Sequence, residues 1–378
     1  MIDKWQPAGP RFDLDGLVHV LTCGSVDDGK STLIGRLLWD VATLHDDQRA
    51  MLAGSAGPDG VPDFSLLVDG LLAEREQGIT IDIAWRYVDA GTRRLVVIDS
   101  PGHEQYTRNM ASGASHADLA IMLVDARHGV KAQTRRHAAI LDLVGVEHVV
   151  LAVNKMDLVG WSEERFREVE AEFSSLAATL GFRRANAIPL SAKRGDNVAS
   201  RSRHMTWYRG PSLLDELDAT PSRRQADAAP FRFPVQSVVR AGDFRGLAGT
   251  VVSGGIGVGD RVVDVLSGRS ANVERIVTMD GDLRSAASGR AVAIALDQDL
   301  DIARGAVLSL AGEQPELATS ITARLVWLAD LPLSAVPRLV LRSATDEVPV
   351  SRIDVITRFD PETTNESAAT TADTNEII

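Results

Sequence analysis

Apolar residues near the start of this chain fall into short unbroken runs, each leading to a small or polar residue. Residues 17–22 lead to Gly24, Leu95–Ile98 to Asp99, Leu119–Val124 to Asp125, Val149–Val153 to Asn154 and Ala187–Leu190 to Ser191. Runs that are apolar throughout, without alternation, suit strands covered on both faces of a parallel sheet. Between them lie patterns of helical period. The clearest spans 162–180. Ser162 is placed to cap it, and Glu163 and Glu164 fall in its positive first turn. Phe166, Val169, Phe173, Leu176 and Leu180 share one face, and Gly181 ends it. Strands alternating with helices predict an α/β, doubly wound domain with a mostly parallel sheet, assigned to residues 1–218.

The texture changes after a linker at 219–230, where Pro, Ser, Ala and Arg dominate. Over 231–312 short Val-rich segments recur every 8–12 residues between glycine turns: Val235–Val239, Thr250–Val252, Arg261–Val265, Val273–Val277, Ala291–Leu296 and Val307–Leu310. This predicts a small antiparallel β-barrel. Residues 313–360 offer three or four more strand segments, Ser320–Leu328, Arg338–Leu341 and Val348–Ile356, and read as a partial third β domain. From Asp360 onward five acids and no bases stand among many Thr and Ala. Residues 361–378 are therefore expected to be a disordered acidic tail.

Composition narrows the function. The 378 residues carry 40 Lys and Arg against 52 Asp and Glu, a net charge of −12. A basic surface spread over the whole fold is excluded, and nucleic acid is not expected as a partner. The single cysteine, Cys23, excludes an internal disulfide and a cysteine zinc cage, and it reads as a small buried residue. No apolar run is long enough to span a bilayer and the first residues carry no apolar signal core, so a cytoplasmic protein is expected.

Three motifs carry the chemistry. Gly24-Ser25-Val26-Asp27-Asp28-Gly29-Lys30-Ser31 has two glycines bracketing four residues, followed by Lys-Ser, between a buried strand and a helix that continues through Thr32. Backbone N–H groups and the helix N-terminus of such a loop wrap a β-phosphate. Lys30 reaches the β- and γ-phosphates, and Ser31 supplies a hydroxyl to Mg²⁺. Asp99-Ser100-Pro101-Gly102 ends a strand, placing a carboxylate to hold a Mg²⁺-bound water and a glycine N–H toward the γ-phosphate. Asn154-Lys155-Met156-Asp157 ends another. Its Asp157 can accept from both N1–H and the exocyclic N2–H of guanine, which adenine does not offer there, and Ser191-Ala192-Lys193 closes over the base edge. Together these predict GTP. Thr80, within Gly78-Ile79-Thr80-Ile81, is expected to complete the Mg²⁺ shell when the γ-phosphate is present. His103, directly after Gly102, is the candidate catalytic residue, positioning the attacking water. Ser253-Gly254-Gly255-Ile256 lacks a following helix and reads as a hairpin turn. No second Gly-Lys-Ser loop occurs, so a fused kinase is not expected.

At Gly24–Ser31, Gly78–Ile81, Asp99–His103 and Asn154–Asp157 the chain resembles the translation-factor class of GTPases, typified by elongation factor Tu. A finer resemblance, to the GTPase (large) subunits of bacterial sulfate adenylyltransferase, runs through Leu21–Leu38, Asp63–Gly78, Pro101–Met110, Gly195–Val198 and Asp243–Gly246. Translation factors usually carry His where this chain has Asp28 and Thr where it has Ser31. The resemblance implies a GTPase domain followed by two β-barrels and a complex with a smaller catalytic subunit. That subunit makes adenylyl sulfate and diphosphate from ATP and sulfate, in sulfate assimilation, and GTP hydrolysis drives it. By the same likeness Val26 and Ile79 form an apolar gate beside the catalytic histidine. In that family the third domain is a full barrel, and three or four strands cannot close one. A truncated second barrel is therefore expected, from either a truncated gene product or a remodelled tail, and the docking of the catalytic subunit is left open. Two other readings stay open: an elongation-type GTPase that carries aminoacyl-tRNA, and an uncoupled remnant that only binds GTP.

Overall fold

The computed structural model describes residues 17–42, 46–68, 80, 82–90, 93–220, 229–242 and 244–378. Two compact units emerge: Met1–Ser222 with Arg324–Asp330 and Ile356–Ile378, and Arg223–Ala323 with Leu331–Val355. Most of the linker, 221–228, lies outside the described residues, as do Gly78, Ile79 and Ile81.

The first unit is built on strands β1 (Leu17–Gly24), β2 (Ala84–Asp89), β3 (Arg94–Asp99), β4 (Leu119–Asp125), β5 (His148–Asn154) and β6 (Arg184–Pro189), in spatial order β2-β3-β1-β4-β5-β6. All neighbours are parallel except the edge pair β2–β3. The helices are α1 (Lys30–Val41), α2 (Asp46–Gly54), α3 (Thr107–Ala114), α4 (Ala132–Leu143), α5 (Glu163–Ala177) and α6 (Leu213–Ala219). Successive strand residues point to opposite faces, so β1 feeds two cores. Val18 and Val20 join Leu33, Ile34, Leu37 and Leu213 on one face. Leu21 and Cys23 join Met110, Ile140, Phe166 and Phe173 on the other. The expected helix over 162–180 is α5. Ser162 Oγ accepts from the Arg165 N–H at 3.2 Å, and Phe166, Val169, Phe173 and Leu176 are buried. It stops at Ala177, three residues early, and Leu180 follows outside it.

In the second unit lie β7 (Phe233–Ala241), β8 (Phe244–Thr250), β9 (Gly255–Gly257), β10 (Arg261–Asp264), β11 (Ser270–Thr278), β12 (Gly281–Leu283), β13 (Ser285–Ala287), β14 (Ala291–Leu296) and β15 (Val307–Leu310). The order β10-β15-β7-β8-β14-β11, with β11 pairing back to β10, closes a barrel around Phe233, Val235, Leu247, Ile276, Ile294 and Leu308. The Thr250–Val252 segment was expected as a strand, but Thr250 is the last residue of β8. Gly246 and Gly249 dilute the apolar pattern of the true strand. Of Ser253-Gly254-Gly255-Ile256, read as a hairpin turn, Ser253 bridges Arg232, Gly254 bends the chain at φ 66°, and Gly255 and Ile256 open β9, which pairs with β13, so the segment leads into a strand rather than closing a hairpin.

The chain beyond 313 departs from expectation. A hairpin of β17 (Leu339–Arg342) and β18 (Glu347–Val350) belongs to the second unit. The first unit holds β16 (Val326–Trp327), β19 (Thr357–Asp360), β20 (Asn365–Ala368) and β21 (Glu376–Ile377), ordered β16-β21-β19-β20. Residues 313–360 are thus divided between the units, and 361–378 are ordered rather than a disordered tail. The tail's acids find bases upstream of it: Arg358 pairs with Glu376 at 2.7 Å and Arg324 with Glu366 at 2.8 Å. Ile377 is 3% exposed and joins the core around Phe166. Composition alone hides such partners.

Candidate nucleotide site

The loop after β1 is shaped by what surrounds it. Gly29 sits at φ 96°, in the left-handed region that lets the chain turn from loop into α1. A side chain there would run into Asn154 Nδ2. Gly102 comes close to the loop from the end of β3. A Cβ on it would stand 2.8 Å from the Gly24 carbonyl and would strike the Lys30 ammonium. The second motif's glycine is therefore fitted to the first motif's loop.

A cavity of about 570 Å³ opens here. It is lined by Val26, Asp27, Gly29, Lys30, Ser31, Thr32, Ser65, Thr80, Gly102, Arg127 and Lys155. Lys30 is buried, and its Nζ donates to the carbonyls of Gly24 at 3.1 Å and Ser25 at 2.9 Å. Burial pulls its pKa down, against the opposing pull of Asp99 and Asp28. Behind the cavity Thr22 Oγ1 donates to the Asp99 carboxylate at 3.2 Å, and Ser100 Oγ donates to the Thr22 carbonyl at 2.6 Å. Ser100 thus ties β3 to β1, and Pro101 is buried beside it. Cys23 is fully buried and its thiol is pushed up to about 12 by burial, which leaves no reactive thiolate.

The third motif is fastened to the first. Asn154 Nδ2 donates to the Asp28 carbonyl at 2.8 Å, while its Oδ1 accepts from the N–H groups of Lys155 at 2.8 Å and Ala192 at 2.9 Å. One amide therefore joins the phosphate loop, the end of β5 and the Ser191–Lys193 turn. Lys155 Nζ donates to the Asp27 carbonyl and pairs with Asp125 at 3.1 Å. Ser191 Oγ donates to Asp157 Oδ1 at 2.7 Å, which orients that carboxylate. Met156 differs from its neighbours: its side chain is wholly buried in the core. Lys193 turns to Asp59, 2.5 Å away.

His103 stands at the head of a 3₁₀ turn, Glu104–Tyr106. Its Nδ1 accepts from the Gln105 N–H at 3.3 Å, and the ring is exposed and does not line the cavity. Of the gate pair, Val26 lines the cavity and Ile79 lies outside the described residues.

Four residues at or beside the site, Asp125, Arg127, Lys131 and Ser65, did not stand out in the sequence. Asp125 ends β4 with its carboxylate 2% exposed, gripped by the Arg127 side chain at 2.6 Å and the Arg127 N–H at 2.9 Å. Burial alone would raise its pKa. The bonds from Arg127 and Lys155 outweigh that and hold it well below the usual carboxylate range. Asp125 so fixes two cations at the cavity wall. The available signal was an acid closing an apolar run, the same signature that marked Asp99.

The match to known families agrees with this geometry. Residues 15–223 match the family described as the elongation factor Tu GTP binding domain. Over 323 residues the chain is 52% identical to sulfate adenylyltransferase subunit 1 of Shewanella oneidensis, covering 84% of this chain and 67% of that protein. Over 340 residues it is 52% identical to sulfate adenylyltransferase subunit 1 of Citrobacter koseri, covering 88% and 71%. The bifunctional enzyme NodQ of Rhizobium sp. (strain N33) is 48% identical over 366 residues, covering 96% of this chain but 57% of its own length. The chain therefore belongs to the GTP-binding proteins of the elongation factor Tu type. Within that class it is a member of the sulfate adenylyltransferase subunit 1 family. Among the described residues no helix is long and apolar enough to cross a membrane.

Proposed function

We propose that the chain is the GTP-hydrolysing subunit of a sulfate adenylyltransferase in the cytoplasm. GTP turnover here drives a separate, smaller catalytic subunit that makes adenylyl sulfate and diphosphate from ATP and sulfate, in sulfate assimilation. The observation that carries the reading is the Asn154 side chain, which joins the phosphate loop to the guanine-selecting motif in a chain 52% identical to subunit 1 proteins.

On this reading each motif residue has a role. Gly24 to Thr32 wrap the phosphates, with Lys30 leaving its loop carbonyls for the β- and γ-oxygens. The hydroxyls of Ser31 and Thr80 and the carboxylate of Asp99 are hard-oxygen groups that would hold Mg²⁺, and the ion would neutralise phosphate charge there. Gly102 offers its N–H to the γ-phosphate. His103 swings from its 3₁₀ turn to orient the attacking water, and the apolar pair Val26 and Ile79 gates that approach. Asn154 and Asp157 read guanine, while Lys155 and Ser191 to Lys193 enclose the base.

Guanine reading is tested by Asp157→Asn. The carboxylate accepts from N1–H and N2–H, whereas an amide can donate to the carbonyl of xanthine. Titration with both nucleotides should show GTP affinity falling by about 10²-fold or more and XTP affinity rising. Unchanged GTP affinity would remove the assignment.

A further inference from the structure

A second charged pair lies behind the phosphate loop. The Asp28 side chain is 1% exposed. Its Oδ2 accepts from the Ser25 N–H at 2.8 Å, closing the loop on itself, and its Oδ1 faces Lys131 Nζ at 3.2 Å. Lys131 caps α4, where its N–H donates to Thr134 Oγ1 at 3.3 Å, so the ammonium comes from a different element. The other charged group bearing on Asp28 is Lys30; the neighbouring Asp27 gives its backbone carbonyl to Lys155. In this structure Lys30 is held by loop carbonyls.

We propose that Lys131 is a positioning residue of the nucleotide site: as counter-ion to Asp28, it lets a buried carboxylate brace the phosphate loop without repelling the polyphosphate. Two opposing demands lead there. Asp28 shapes the loop by taking the Ser25 N–H, yet it puts a negative charge behind a pocket built for anions. When phosphates draw Lys30 toward themselves, Lys131 is the cation left to balance Asp28. Burial already biases the Asp28 carboxyl toward its neutral form, and Lys131 and the Ser25 N–H oppose that bias. A buried carboxylate stripped of its counter-ion is costly, and it escapes that cost by taking up a proton.

The inference rests on the cavity being a GTP site. Its test measures GTP affinity of the full chain by calorimetry at pH 6.0 and pH 8.5, each variant being compared with wild type at the same pH. Lys131→Met should bind GTP about tenfold more weakly at pH 8.5 and lose less at pH 6.0, because lower pH favours the neutral form of a carboxyl that has lost its counter-ion. Lys131→Arg should bind as wild type does. The double variant Asp28→Asn, Lys131→Met should bind GTP more tightly than Lys131→Met at pH 8.5 and stand in the same ratio to wild type at both pH values, because the introduced amide keeps an acceptor for the Ser25 N–H and carries no charge. A Lys131→Met variant equal to wild type at both pH values would overturn the proposal. So would a pH-independent loss that the double variant does not repair, since that marks a packing role. Wild type that fails to bind GTP would instead remove the site reading itself.

Discussion

At the scale of single residues, two histidines divide chemistry from packing. His103 is exposed at the start of its 3₁₀ turn, with Nδ1 occupied by a backbone N–H and the ring outside the cavity wall. Replacing it should cost little binding, because no wall is lost. His103→Ala is expected to keep wild-type GTP affinity and slow single-turnover hydrolysis by about 10²-fold. A wild-type rate would show that another group orients the water. His137 is the opposite case. It is wholly buried in α4 beside Gln133, its nitrogens 2.8 Å from that amide on one side and unpartnered on the other. Burial, then the charges of Lys30 and Arg136, push its pKa down to about 3. The unfolded chain takes a proton near the ordinary value of 6.5, which the folded chain refuses until about 3. Its contribution to stability is therefore complete above 6.5 and lost as pH falls from there toward 3, with a slope of up to about 1.4 kcal/mol per pH unit. Denaturant unfolding at pH 7 and pH 5 should show a smaller drop for His137→Gln than for wild type. Equal drops would mean that the folded protein accepts the proton.

At the scale of elements, the short strand β21 is the least expected part of the fold. It lies between β16 and β19, and its Ile377 joins the core that also holds Met110. Ile377→Ala should lower the unfolding free energy of this unit by about 2–4 kcal/mol, as for other large-to-small core changes. A loss under about 0.5 kcal/mol would show that the tail is not docked in solution, because exposed substitutions fall in that range. This element was hidden in the sequence because two strand residues carry no period to read, and the base that pairs with Glu376, Arg358, lies elsewhere in the chain. The edge strand β2 was hidden for another reason: Ala84-Trp85-Arg86-Tyr87-Val88-Asp89 alternates, unlike the unbroken runs that marked the inner strands. By contrast β4, β5, β14 and β15 stood out, since each is an apolar run whose end coincides with a turn or a polar motif residue.

At the scale of the whole molecule, the nucleotide site was legible because its motifs are local. Gly24–Ser31, Asp99–Gly102 and Asn154–Asp157 each close a strand of one parallel sheet, and the ends of parallel strands meet along one edge. What stayed hidden depends on long-range pairing: Asp28 with Lys131, Asp125 with Lys155, and the sharing of residues 313–378 between two units. No local pattern announces such contacts. The proposed function belongs to the complete assembly. Phosphoryl transfer depends on positioning, and a GTPase that drives another subunit's reaction is expected to turn over slowly until that subunit completes its site. On the proposed reading the adenylyl transfer belongs to the separate catalytic subunit.

The most direct measurement is a product assay with ATP, sulfate and Mg²⁺, run with and without a sulfate adenylyltransferase catalytic subunit, and with and without GTP. The account predicts no adenylyl sulfate from the purified chain, faster GTP hydrolysis when the catalytic subunit is added, and a yield of adenylyl sulfate with GTP that exceeds the GTP-free equilibrium. GTP hydrolysis that responds to aminoacyl-tRNA and not to the catalytic subunit would contradict it, as would tight GTP binding with no response to either.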